Sequence, residues 1–489
     1  MLWRHLIGYL PLNIAQAIAG FGGIFLLTRL LSPEQFGLYS LVFSVVVITH
    51  SLCFTWIEAA VARSYVRAEA DNRLADHLAT AFKFLTIGVI ITGIVGFTII
   101  FLVAFSVELK TVLSFALTSM LLRSFLILSQ EARKAAREVT RYSVIEFFSV
   151  MAGFGFGIAI VYATPLKAAG PFAGVAIATI IALLFDFPRM LLRAKGGRAS
   201  VEELKQFFVY GMPLSLSLVL SYVLQAGDRF VISALLGNGQ VGIYAAGYGT
   251  ANRGLDILFV WAGMAAGPLL VAALELGNAE KAKDMARKSF SIMALLTFPA
   301  ATGIALVATP LANVMTGPEF REGAAAIIPW ITLAGLMNGI TTYYLVVAFT
   351  LSKRTGIMVW ITAVPAVLNI ALNFLLLPIM GLVGAVVATI IAYAVGMVMT
   401  AIIGRHYFNL PLPFVETIKT GLACIVMAAA VLILPIPAAM PDFAKLLIMA
   451  GFGALVYGAA AWGLNLAECR EMILERFSKI TKTPLEAKG

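Results

Sequence analysis

The sequence predicts an all-α polytopic membrane protein of about 14 transmembrane helices, and three observations predict it. Hydrophobic residues fill 61% of the 489 positions and charged residues only 12%, against roughly 25% charged in a soluble domain. Apolar runs long enough to cross a bilayer, about 20 residues each, follow one another almost without interruption. The chain also echoes itself. Leu30-Leu31, Gln35, Gly37 and Tyr39 return 205 positions later as Leu235-Leu236, Gln240, Gly242 and Tyr244. Gly174 and Ala178-Thr179-Ile180-Ile181-Ala182 return 210 positions later as Gly384 and Ala388-Thr389-Ile390-Ile391-Ala392. Two matches in the same order at nearly one offset favour duplication over chance.

A mean hydropathy of +0.95 excludes a water-soluble globule, because only helices or closed barrels satisfy their backbone groups in hydrocarbon. The net charge of +10 and pI near 9.5 do not point to nucleic acid. The basic residues flank apolar spans and read as topology signals instead.

Breaking the chain at charges and turn residues starts spans near Leu6, Leu38, Leu78, Thr111, Tyr142, Gly170, Val209, Val241, Ser289, Ala324, Gly356, Met380, Glu416 and Ala444. Met1 to Thr28 carries only Arg4 and His5 ahead of a run too long for a short signal core, so no cleavable leader is expected there. Even-numbered loops hold the basic clusters, among them Arg63, Arg67 and Arg73, then Arg133, Lys134, Arg137 and Arg141, then Lys281, Lys283, Arg287 and Lys288. Odd-numbered loops hold only Arg29, Lys110, Lys167, Arg321 and Lys445. Both termini are therefore expected on the cytoplasmic side of the membrane.

Two repeats of six spans enter the membrane in the same direction, which predicts two six-helix lobes related by a pseudo-two-fold axis along the membrane normal, with a central cavity. The lobes are residues 1–195 and 209–405, and 196–208 links them. In that linker Ser200-x-x-Glu203 has the pattern of a capping box and starts an expected interfacial helix. Residues 406–489 hold two further spans and a tail from Glu468 in which Met472, Ile473, Phe477 and Ile480 are mixed with basic residues, suited to the inner membrane surface.

The stretch Leu26-Leu27-Thr28-Arg29-Leu30-Leu31-Ser32-Pro33-Glu34-Gln35-Phe36-Gly37-Leu38-Tyr39 resembles the first-loop signature of bacterial polysaccharide-transport proteins, the flippases of lipid-linked oligosaccharides. Tyr210-Gly211-Met212-Pro213-Leu214, Asp228-Arg229-Phe230 and Val241-Gly242-Ile243-Tyr244 are similar to the same family. It belongs to the superfamily of multidrug, oligosaccharidyl-lipid and polysaccharide exporters. The resemblance implies a transporter working by alternating access on a polyprenyl-pyrophosphate oligosaccharide, with no covalent chemistry, no cofactor and a polysaccharide polymerase as a pathway partner. Gly37, Gly242 and Pro33 are expected to shape tight turns into the following spans.

A charge near mid-bilayer is costly and marks function by default. Arg123, Arg229 and Arg253 lie deep in their spans, the first and last about twelve residues in, or about 18 Å. A guanidinium stays charged and binds phosphate bidentately, so these three are the candidate cargo headgroup ligands. Asp228 directly precedes Arg229, and Asp256 lies one turn from Arg253, so structural pairing competes with that role. Glu58, Glu146, Asp228 and Asp256 are the candidates for coupling to protons or sodium, since burial raises carboxylate pKa values. For Glu58 and Glu146 an ion pair with Arg63 or Arg141 is the plainer expectation.

Asn369 and Asn373, one turn apart, suit helix–helix hydrogen bonding or cargo contact. Pro213, Pro299 and Pro365 fall inside spans, where kinking is expected. Cys53, Cys424 and Cys469 and the four histidines lack metal spacing, and no nucleotide-binding phosphate loop occurs. A multidrug or cation antiporter of the same fold is the nearest alternative. A membrane glycan polymerase or ligase would need a sizeable outer loop, and every outer loop here is short.

Overall fold

A computed structural model of the chain describes residues 2–275, 279–352 and 356–471, with side chains described except at 2–10, 264–275 and 279. The expected tail residues Met472, Ile473, Phe477 and Ile480 lie outside the described residues. Among those described there is no strand. Contacts divide the chain into two compact units: Met1–Ala246 with Thr316–Phe320 and Thr362–Ala388, and Gly247–Met315 with Arg321–Ile361 and Thr389–Gly489.

The first unit holds α1 (Leu2–Leu30), α2 (Pro33–Cys53), α3 (Thr55–Ala70), α4 (Leu74–Leu102), α5 (Val107–Ala135), α6 (Val139–Ala163), α7 (Gly170–Ala194) and α8 (Val201–Leu236). It also takes the start of α9 (Asn238–Glu275). The second unit holds the rest of α9, α10 (Ala279–Leu306), α11 (Ala308–Met315), α12 (Arg321–Ile340), α13 (Val347–Leu351), α16 (Phe414–Ile433) and α17 (Asp442–Leu464). The remaining helices, α14 (Ile357–Met380) and α15 (Leu382–Tyr407), each cross the division. Thirteen helices among the described residues are long and apolar enough to span a membrane. Each of the fourteen expected span starts falls in a helix or within two residues of one.

One expected loop is a helix. Arg63 and Arg67 lie on α3, which follows α2 after a break at Phe54. Its stripe Ile57, Val61 and Tyr65 is buried at four-residue spacing, so its charges lie on the remaining faces.

The segment around Ser32 and Pro33 also resolves differently from the expected turn. Ser32 caps α2, its hydroxyl accepting from the Gln35 amide while the Gln35 side chain bonds back to the Ser32 amide, a complete capping box. Pro33 takes the first helical position, where its missing N–H costs nothing. The matching residue 205 positions on is Gly237, whose φ of +86° joins α8 to α9 in a conformation that glycine alone enters freely.

Gly37 and Gly242 are contact glycines within helices. A methyl added at Gly37 would sit 1.8 Å from the Asn238 carbonyl oxygen, and one at Gly242 would sit 2.1 Å from that of Pro33. Asn238 lies 205 positions after Pro33, so the two copies of the repeat meet each other reciprocally through matching residues. Gly37→Ala or Gly242→Ala is expected to destabilise by at least about 1–3 kcal/mol through overpacking against backbone, read as a lower thermal midpoint in detergent. Unchanged midpoints would contradict this close approach.

The helix α6 packs on α7 through glycines at four-residue spacing on both sides. Gly153 and Gly157 face Gly174, where an added methyl would come 2.2 Å from the Gly157 nitrogen. This small-residue packing brings backbones together without side-chain fill.

The linker is not a separate interfacial helix. Ser200 caps α8, accepting from the Glu203 amide at 3.4 Å, and α8 then runs 36 residues without interruption. The Glu203 carboxylate does not close the box. It bonds His77 at 2.7 Å and Thr80 at 3.1 Å on α4, while the Arg198 amide donates to Asp76. Asn373 bonds the Asn369 carbonyl on its own helix at 2.8 Å.

Candidate functional site

The five helices α1, α2, α5, α6 and α7 line a half-open cavity of about 270 Å³ in the first unit. Tyr39, Arg123 and Ser149 supply its polar wall, and Gly23, Gly153 and Gly157 leave it unfilled.

The Arg123 guanidinium donates to Ser149 Oγ at 2.8 Å and to Glu146, both on α6. The Glu146 pairing replaces the expected ion pair with Arg141. A guanidinium carries five N–H donors. Two bonds therefore leave donors available toward the cavity that Arg123 lines. The Arg123 side chain is 23% exposed and that of Glu146 11%, so the pair is only partly desolvated.

Asp228 and Arg229 sit on α8. Asp228 is buried, accepting from the Tyr244 hydroxyl and from the Arg229 amide at 2.8 Å. The half-buried Arg229 donates to Ser44 on α2 at 3.2 Å. Glu58, also buried, meets His50 at 3.1 Å in place of the expected Arg63. In the second unit Arg253 and Asp256 are exposed one turn apart on α9, within electrostatic reach of each other.

A second ionic cluster was not expected from the sequence. Arg133, 1% exposed, donates from Nε to Asp186 at 3.2 Å, from a terminal nitrogen to the same carboxylate, and to Glu138 at 2.7 Å. Arg193 donates to Glu138 and to the Tyr65 hydroxyl at 3.4 Å, and Arg141 lies 3.6 Å from Asp186. Burial alone would raise the Glu138 pKa, but Arg193, Arg133 and Arg141 outweigh it and hold that carboxylate below its ordinary value. The cluster ties α5, α6 and α7 together. A lone acid inside an apolar span, as Asp186 is, was the signal available in the sequence.

Among the described residues no three His, Cys, Asp or Glu side chains gather to hold a metal ion.

Comparison with solved structures gives the fold a context. The lipid II flippase MurJ in an inward closed conformation superposes with a TM-score of 0.75 at 15% identity, over 94% of this chain and 99% of that one. An inward-facing multidrug resistance MATE family transporter of the MOP superfamily gives 0.65 at 15% identity, over 81% and 94%. An outward-facing one gives 0.57 at 16% identity, over 83% and 96%. Such identities speak for fold alone. No curated protein matches the sequence. The model of the polysaccharide biosynthesis protein family matches residues 26–325, more than half of the chain, and the protein is a member of that family.

Proposed function

We propose that the protein is a flippase that carries an anionic lipid-linked oligosaccharide, a polyprenyl-pyrophosphate glycan, across the bacterial cytoplasmic membrane for cell-surface polysaccharide synthesis. The observation that carries this reading is the Arg123 guanidinium on the wall of a 270 Å³ cavity, with donors to spare. A phosphate accepts two parallel bonds from such a group. Membership of the polysaccharide biosynthesis family supports glycan cargo, and the fold shared with a lipid II flippase supports a lipid-linked one.

In this mechanism the cargo phosphate enters the cavity, takes the guanidinium from Glu146, and leaves with the next change of access. The carboxylate left without its counter-ion is the group that couples cargo to the proton gradient. Of the four candidate carboxylates Glu58, Glu146, Asp228 and Asp256, Glu146 is the coupling group of choice, because its partner Arg123 lines the cavity that the cargo phosphate enters. Arg229 and Arg253 are additional headgroup contacts, each tested by its own alanine variant. No bond of the cargo breaks. Access alternates between the 1–195 and 209–405 repeats joined by 196–208, both termini are cytoplasmic, and a polysaccharide polymerase receives the product.

The test is ligand-induced stabilisation of the purified protein. Polyprenyl pyrophosphate should raise the thermal midpoint, by about 2.7 kcal/mol of stability at a hundred times its dissociation constant, and uncharged polyprenol of the same length should not. Equal shifts from both would sink the cationic site. Stabilisation by a quaternary ammonium drug alone would favour the antiporter.

A further inference from the structure

We infer that an apolar cleft between α2, α4 and α5 seats the hydrocarbon tail of the same cargo, a single polyprenyl chain, while Arg123 holds its phosphate. This rests on the flippase reading and adds a second site to it. The cleft has a volume of about 630 Å³, and no Asp, Glu, Lys, Arg or His lines it. Thr49, Thr92 and Cys53 are the polar exceptions among aliphatic, aromatic and methionine side chains.

An apolar cavity of even about 150 Å³ stays dry and binds apolar ligands. This cleft has an apolar lining of the same kind, and in a membrane-spanning region the available filler is a hydrocarbon chain. The cleft admits one from the side. Ile91, Val95 and Ile99 line it along α4 and remain 57%, 52% and 50% exposed.

The argument for this particular lipid is register. Leu113, Ala116 and Met120 line the cleft, and Arg123 continues the same face of α5 one turn later. The apolar stripe thus ends in a cation about 4.5 Å along the axis from Met120. On α2, which runs parallel to α5, Val42 lines the cleft and Tyr39, three residues earlier, lines the arginine cavity, so the two cavities lie side by side along this pair of helices. A ligand suited to them has one long chain with its phosphate directly at the chain end, as a polyprenyl phosphate has. A phospholipid instead brings two chains and a glycerol spacer before its charge.

Cys53 provides a native reporter, being a half-buried free thiol on the cleft wall. The protein reconstituted in phospholipid vesicles would be treated with a membrane-permeant maleimide, and alkylation followed at the Cys53 peptide by mass spectrometry. Added polyprenyl phosphate should slow Cys53 alkylation several-fold, and a short-chain analogue should not. Val95→Trp, which fills the cleft from its open side, should abolish the protection. Protection absent, or equal for long and short chains, would overturn the tail seat even if the tryptophan variant failed to fold. So would the vesicle phospholipid alone giving full protection. Chain-length-dependent protection in a protein that moves no cargo would support the seat and sink the transport reading. Movement at one rate for long- and short-chain cargo, with Cys53 unprotected, would do the reverse.

Discussion

Arg123→Ala is expected to slow movement of a polyprenyl-pyrophosphate glycan between leaflets by about 10- to 100-fold, the equivalent of roughly 1.5–3 kcal/mol for a hydrogen bond to a charged group. The substitution also strands the Glu146 carboxylate, so a loss of activity alone would be ambiguous. Arg123→Ala combined with Glu146→Gln removes that stranded charge. The double variant should recover the thermal midpoint and remain as slow as the single one. Arg123→Lys keeps the charge and loses the planar fork, and should fall between wild type and alanine. Glu146→Gln by itself should bind cargo more tightly and lose the dependence of transport on a proton gradient. Wild-type rates from Arg123→Ala would remove the headgroup site, whatever the cargo.

The largest expected effect on stability is at Asp186. Arg133 and Asp186 are each 1% exposed, and taking one partner from a buried ion pair typically costs about 3–5 kcal/mol because the other charge stays buried. Asp186→Leu should therefore lower the thermal midpoint sharply, with Glu138 left as the counter-ion of Arg133. Replacing both, as Arg133→Met with Asp186→Leu, should recover most of that loss, since well-packed apolar residues often substitute for a buried pair without cost. If the double variant is as unstable as the single one, the cluster holds α5 and α7 together through its directional bonds. If neither variant changes the midpoint, Arg133 is not buried as described.

The spans were legible because the bilayer imposes one rule on every segment: about 20 apolar residues with their backbone bonds closed internally. That rule works locally and needs no knowledge of neighbours. Whatever depends on neighbours was hidden. Arg123 and Glu146 are 23 positions apart on different helices, so the spacing that reveals a pair on one helix could not reveal theirs. Arg133 looked like one more loop cation, since only the fold brings Asp186 to it from 53 positions away. The repeat was visible as matched letters, yet the reason for Gly37 and Gly242 was not. A glycine required by a turn and a glycine required by a backbone crossing look the same in sequence, and here the crossing decides.

Of the candidate site, the residue type and depth of Arg123 were readable from cost alone. Its cavity was not, because only packing sets α1, α2, α6 and α7 around it. The apolar cleft was hidden for the opposite reason: its lining has the same composition as any lipid-facing helix.

The central claim is movement of an anionic lipid-linked glycan, and the most direct measurement is in proteoliposomes carrying a fluorescent polyprenyl-pyrophosphate oligosaccharide in one leaflet, scored by its appearance in the other. Protein-dependent movement that is lost when the pyrophosphate is replaced by an uncharged linkage is the predicted result. Movement indifferent to that charge, or none beside active drug efflux from the same vesicles, would contradict it.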